Sequence, residues 1–146
     1  MSQSMIIKKE VIFKSSIERV WDVLTNPEQT KHYMFGCEVL SDWSLGSPIV
    51  WNGKTENGEI ITYVQGTITK YIDKQEVSFT MFDPNIGIQD IPENYISLTY
   101  KISKTGNNTK LIILQGDFYG TENAQKRFEE SQKGWDMVIP LLQKMI

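Results

Sequence analysis

Apolar and polar residues alternate along most of this chain, and the period of that alternation changes near both ends. Between residues 75 and 103 the period is two: Val77, Phe79 and Met81 stand against Ser78 and Thr80, then Ile96, Leu98, Tyr100 and Ile102 against Ser97, Thr99 and Lys101. This spacing predicts half-buried strands over 75–82 and 95–103, because successive strand side chains point to opposite faces. Further strands are predicted at 5–13, 37–40, 49–52, 59–71 and 109–115. Turn residues separate several of them: Gly46-Ser47-Pro48, Asn57-Gly58 and Thr105-Gly106-Asn107-Asn108. Val11 and Phe13 share one side of the first strand and are expected to face inward. Strands joined so closely imply an antiparallel meander.

The period lengthens to that of a helix in three places. Ser15 precedes Glu18 by three residues, the spacing of a capping box, and Ile17, Val20, Trp21 and Leu24 then recur at i, i+3, i+4 and i+7. That stripe assigns Trp21 to the core. Asn26-Pro27 opens a second helix, with Gln29 at its third position, that carries Tyr33 and Met34 and ends near Gly36. From Thr121 to Ile146 the pattern is helical again, with Thr121 as N-cap and Glu122 in the first turn. Ala124, Phe128, Trp135, Val138, Leu142 and Met145 form one broad face. Gly134 costs about 1 kcal/mol relative to Ala in a helix, so its place beside Trp135 predicts close backbone approach. Pro140 predicts a bend.

This order of elements describes an α+β domain spanning 1–146, a curved antiparallel sheet wrapped around the last helix, with two short helices after the first strand. Such a layout tends to leave a cavity. The one long connection, Asp83–Asn94, reads equally as a binding loop or as a wide hairpin end.

Composition narrows the function. The net charge of −3 comes without a Lys/Arg stripe, which argues against nucleic acid. A single Cys excludes an internal disulfide and favours a reducing, cytoplasmic setting. No apolar run approaches the ~20 residues of a membrane span, and Met5-Ile6-Ile7 is too short for a signal-peptide core. Four Trp, six Tyr and six Phe suit a thick core or the walls of an apolar pocket.

Ser16-Ile17-Glu18-Arg19-Val20-Trp21-Asp22, Asn26-Pro27-Glu28, Trp51-Asn52-Gly53, Gly66-Thr67-Ile68, Pro92-Glu93-Asn94-Tyr95 and Gly134-Trp135 occur in that order. Together they resemble the START-like (SRPBCC) superfamily, in the branch related to the activator of the ninety-kilodalton heat-shock chaperone's ATPase (Hsp ATPase activator homologues). The resemblance covers nearly the whole chain. It implies a helix-grip fold whose cavity, between sheet and C-terminal helix, binds lipids, polyketides or similar apolar molecules. Tyr33 stands where relatives often carry Trp. The eukaryotic co-chaperone's additional N-terminal domain has no room here, so chaperone contact does not carry over by resemblance.

The chemical inventory favours binding over catalysis, and no cofactor is expected. His32 is the only His, so a zinc site would need Cys37 and carboxylates at unsuitable spacing. A Cys37/His32 nucleophile pair flanks a helix end, where a lone Cys more commonly serves as a small hydrophobe. No phosphate-binding glycine loop or nucleophile elbow occurs. Glu56, Glu59, Asp73 and Glu76 read as solvated charges. The cavity is expected to be lined by Trp51, Phe79, Met81, Leu98, Tyr100, Ile113, Gln115, Phe128 and Trp135. Phe79, Leu98 and Ile113 also fit a plain core. Gln115 shares the inward face with Leu111 and Ile113, and a buried amide needs a partner, so it either orients a polar ligand group or bonds to a backbone group or ordered water. Three functions follow: a binding module for an apolar small molecule, a cyclase-type enzyme in which Gln115, Tyr100 or Tyr63 assists proton transfer, or an interaction protein acting on a chaperone. Ligand and oligomeric state are left open.

Overall fold

The computed structural model describes residues 4–146. Its strands are β1 (Ile7–Phe13), β2 (Glu38–Ser41), β3 (Pro48–Lys54), β4 (Ile60–Ile72), β5 (Glu76–Met81), β6 (Ile96–Thr105) and β7 (Asn108–Gly116). They form one antiparallel sheet in the order β1-β7-β6-β5-β4-β3-β2, which curves around the C-terminal helix. Helices α1 (Ile17–Thr25) and α2 (Pro27–Thr30) connect β1 to β2, and α3 (Ala124–Met145) closes the chain. The fold is α+β with a helix-grip layout. Among the described residues no helix is long and apolar enough to cross a membrane.

Register explains how the core is built. Ile7, Gln115, Leu98, Phe79 and Ile68 are successive cross-strand partners, one row across β1, β7, β6, β5 and β4. The next row joins Lys9, Ile113, Tyr100, Val77 and Tyr71. Apart from Lys9 and Tyr71, all of these are buried, as are the inward residues Val11 and Phe13 of β1. Lys9 instead turns its ammonium to the Asp136 carboxylate on α3, at 3.5 Å. On the far side of the sheet β4 carries an extra residue, Tyr63, between the partners of Trp51 and Asn52. This bulge bends the strand and lets the neighbours Tyr63 and Val64 face the same space.

α1 buries Val20, Trp21, Val23 and Leu24, and the Trp21 ring packs 5.9 Å from that of Tyr71. Its cap is Ser16, whose hydroxyl accepts from the Arg19 amide at 3.1 Å, and not Ser15. Ser15 is committed elsewhere: its hydroxyl donates to the Ile146 carbonyl and its own carbonyl accepts from the Thr109 hydroxyl. The helix therefore starts one residue later than a Ser15–Glu18 capping box requires. Asn26 caps α2 as expected, accepting from the Glu28 amide. That helix ends at Thr30, and Tyr33 and Met34 lie in the turns that follow. The Tyr33 hydroxyl donates to the Val23 carbonyl at 2.8 Å. It thereby satisfies one of the carbonyls that the last turn of α1 leaves free.

α3 also departs from its expected start. Thr121 does not cap it, because its hydroxyl turns back to the Phe118 carbonyl, and the helix begins at Ala124 after Asn123 in a left-handed conformation (φ 56°). Asn94, from the connection before β6, accepts from the Glu122 amide at 3.0 Å and so serves the chain's entry into the helix. α3 continues through Pro140, which is exposed. At its other end the Met145 carbonyl accepts from the Arg19 guanidinium at 2.9 Å, which ties α3 to the start of α1.

Candidate functional site: an apolar cavity beneath the last helix

The core does not fill evenly. A cavity of about 520 Å³, partly open to solvent, lies between the sheet and the Arg127–Val138 stretch of α3. Trp51, Val64, Met81, Leu98 and Gln115 face it from the sheet, and Gly134, Trp135 and Val138 from the helix. Met34, Phe35 and Cys37 close it on the α2 side, while Asp83 and Ile86 stand at the end of β5. The walls are chiefly apolar, and the volume falls within the ~300–1,000 Å³ of small-molecule sites.

Five of the nine residues expected at this site line the cavity: Trp51, Met81, Leu98, Gln115 and Trp135. The other four do not. Ile113 and Tyr100 belong to the row nearer Val11 and Leu111 and are buried in the core, with the Tyr100 ring 6.4 Å from that of Trp135. Phe79 is only 1 % exposed, packed 6.3 Å from the Tyr100 ring, and it stays in the core although its cross-strand partner Leu98 reaches the cavity. Phe128 turns toward Phe118, with the ring centres 5.5 Å apart.

Gln115 is the polar centre of the wall. Its side-chain oxygen accepts a 2.8 Å hydrogen bond from the Trp135 indole, and its amide nitrogen meets only the Met81 sulfur, at 3.6 Å. The Trp135 ring stands edge-on to Tyr100, 6.4 Å away. This pair fixes α3 against β7. Gly134 precedes Trp135 for a reason other than the close approach anticipated for it: a Cβ added there meets nothing within 4 Å. The glycine opens onto the cavity instead of onto a neighbouring backbone. Close backbone approach occurs instead at Gly66, where an added Cβ would overlap the Thr80 carbonyl, and at Gly53 an added Cβ would lie 2.8 Å from the Tyr63 ring.

Ionisable groups here are tuned by burial. The Cys37 thiol is pushed up from its ordinary value by desolvation, which makes it a poor nucleophile at neutral pH. The Tyr100 phenol is raised by full burial and its oxygen has no hydrogen-bond partner. Of the groups considered for proton transfer, Tyr63 and Gln115 line the cavity and Tyr100 does not. Among the described residues no cluster of three or more His, Cys, Asp or Glu is placed to hold a metal ion.

Arg127 was not anticipated. It lines the cavity from α3, donates to the Asn94 carbonyl at 3.0 Å, and has its other terminal nitrogen buried without a partner. Burial lowers its pKa, opposed by the negative charges of Asp83 and Glu122. The signal was present in the helical period. Arg127, Ser131, Gly134 and Val138 recur at intervals of four, three and four residues, one face of α3 adjoining the Trp135 stripe.

The connection Asp83–Asn94 is fastened to β4 rather than free. Asn85 donates to the Thr62 carbonyl at 2.9 Å, and Asp90 accepts from Gln65 and from the Tyr95 hydroxyl. Its last residues form a 3-10 turn, Pro92–Asn94.

A curved antiparallel sheet gripping a terminal helix, with two short helices after the first strand, defines a START-like protein. The chain belongs to the family described as Activator of Hsp90 ATPase homolog 1-like protein, which matches residues 14–146. Among solved structures it is similar to ChR145 from Cytophaga hutchinsonii, at 32% identity over 99% of this chain and 94% of that one, with a TM-score of 0.76. It shares the fold of CV1439 from Chromobacterium violaceum, at 16% identity over 97% and 96% of the two chains and a TM-score of 0.76. The Aha1 dimer from Colwellia psychrerythraea has the same fold, at 16% identity over 94% and 92% of the chains and a TM-score of 0.68. A comparison with curated proteins found no match.

Proposed function

We propose that this protein binds an apolar small molecule in the cavity between the sheet and α3. The observation that carries this reading is a half-open, chiefly apolar pocket of about 520 Å³ between the sheet and α3, in a family whose fold suits ligand binding. At about 25 cal/mol per Å², a micromolar complex (about 8 kcal/mol) needs roughly 330 Å² of apolar ligand surface removed from water, before ordering costs are added. Lipid-like and polyketide-like molecules carry that much surface. No catalytic group is required, and the thiol and phenol of the region are both shifted away from reactivity.

Gly134 provides the test, because a side chain placed there enters open space. Gly134→Leu is expected to fold and to exclude an environment-sensitive apolar fluorophore that the unchanged protein binds. Native mass spectrometry of protein from its own host should show a small-molecule adduct that Gly134→Leu lacks. A folded Gly134→Leu that binds the fluorophore as tightly as the parent would refute the reading.

A further inference from the structure

We propose that the molecule seated in this cavity is an apolar chain ending in a carboxylate, and that Arg127 receives the carboxylate. The inference rests on the cavity reading above and adds the ligand's chemical class to it.

The buried polar groups that line the cavity and lack a partner are donors. Trp51 is 3 % exposed, and its indole nitrogen, which can only donate, has no hydrogen-bond partner. Arg127 has a terminal nitrogen buried in the same state. Gln115 has spent its oxygen on Trp135, which leaves its amide N–H groups facing a sulfur, a weak acceptor. The Trp51 and Arg127 nitrogens lie just behind the cavity surface in side chains that line it, so a small rotation of either side chain would turn an unanswered N–H toward a ligand oxygen that accepts. An alcohol or amine brings donors that nothing on this wall requires.

Charge selects among acceptors. The salt bridges of the described residues do not include Arg127, whose side chain holds only the neutral Asn94 carbonyl. Asp83 and Glu122 act on it through space, but neither forms an ion pair with it, and one oxygen of Asp83 accepts from the backbone and side-chain N–H groups of Asn85, at 2.8 and 3.0 Å. Glu130, the other carboxylate on the wall, is exposed to solvent, which screens it. The guanidinium is thus a half-used fork at the edge of an apolar space. A carboxylate fits such a fork better than a single oxygen does, because two parallel N–H···O bonds can form.

The test compares dodecanoate with dodecanol, both below the concentration at which they aggregate, by displacement of the apolar fluorophore. The parent should bind the acid about tenfold more tightly than the alcohol, the worth of a charge-assisted hydrogen bond. Arg127→Gln should remove that preference and leave dodecanol affinity nearly unchanged, whereas Arg127→Lys should retain part of it. Trp51→Phe should weaken the acid without abolishing its preference. Should Arg127→Gln fail to fold, the parent's ratio and Trp51→Phe still decide. Equal affinity of the parent for acid and alcohol overturns the carboxylate assignment while leaving the cavity reading intact. Failure of the parent to bind either molecule or the fluorophore overturns both.

Discussion

The indole N–H of Trp135 on α3 donates to the side-chain oxygen of Gln115 on β7, at 2.8 Å, with both residues at most 6 % exposed. One hydrogen bond thus joins the terminal helix to the end of β7, the second strand of the sheet, across an apolar interior. Gln115→Leu removes the acceptor and strands a buried donor, a loss of about 1–3 kcal/mol. Trp135→Phe removes the donor, and Gln115→Leu with Trp135→Phe leaves nothing unpaired. Urea unfolding of the four proteins should show the double variant more stable than the sum of the single changes allows. Strict additivity would mean that the bond contributes nothing.

Tyr33 and Tyr100 differ in what their hydroxyls do. Tyr33 donates to the Val23 carbonyl at the end of α1, and Tyr100 is buried with no partner. At neutral pH Tyr33→Phe should therefore cost about 1 kcal/mol, while Tyr100→Phe should be neutral or stabilising. Both phenols are raised above their ordinary value, chiefly by burial, with Tyr100 adding to the effect on Tyr33. The folded chain keeps these protons at a pH where the unfolded chain releases them. Their contribution is complete below about pH 10 and is lost as the pH climbs beyond it. Tyr100→Phe should flatten that alkaline decline, measured as urea midpoints on either side of pH 10; an unchanged slope would contradict the assignment.

Gly66 has a different constraint. A Cβ added there would overlap the Thr80 carbonyl oxygen, and backbone atoms cannot swing aside as a flexible side chain would. β4 leaves its pairing with β3 near this point and takes up β5, so the two strands must shift or separate. Gly66→Ala should destabilise by at least about 1–3 kcal/mol. Gly134→Ala, in open space, should stabilise by up to about 1 kcal/mol. Thermal unfolding of the two variants should move in opposite directions, and a shared direction would show that one of these environments is misjudged.

The sheet was legible in the chain because strand period and turn residues are local. The alternation from Val77 to Met81 and from Ile96 to Ile102 marks the buried face, and Gly106-Asn107 joins β6 to β7 between the paired residues Thr105 and Asn108. The cavity wall was less legible. Alternation distinguishes inside from outside but does not record height along the strands. Phe79 and Leu98 are partners on one face, yet only Leu98 reaches the empty volume, because where α3 presses on the sheet is a tertiary fact. Helix starts failed for a related reason. Ser15 and Thr121 suit N-caps by type, but their hydroxyls have partners elsewhere in the fold. Asn94, which serves the entry to α3, is 28 residues away from Glu122 in the chain and carries no local signal.

Cys37, the chain's single cysteine, is buried in the cavity wall, where a bound molecule would change its access to reagents. Desolvation raises its pKa, so the thiolate is scarce at neutral pH and a small thiol reagent should label the folded protein more slowly than the urea-unfolded chain. A bound guest would add a second barrier by filling the route to the sulfur. If only the empty form reacts, dodecanoate at about ten times its dissociation constant should slow labelling about tenfold, and should have no effect on the unfolded chain. Gly134→Leu should label slowly with or without dodecanoate, since its own side chain occupies the space. Labelling of the folded parent that ignores dodecanoate, under conditions where binding is measured independently, would place the ligand somewhere other than beside Cys37.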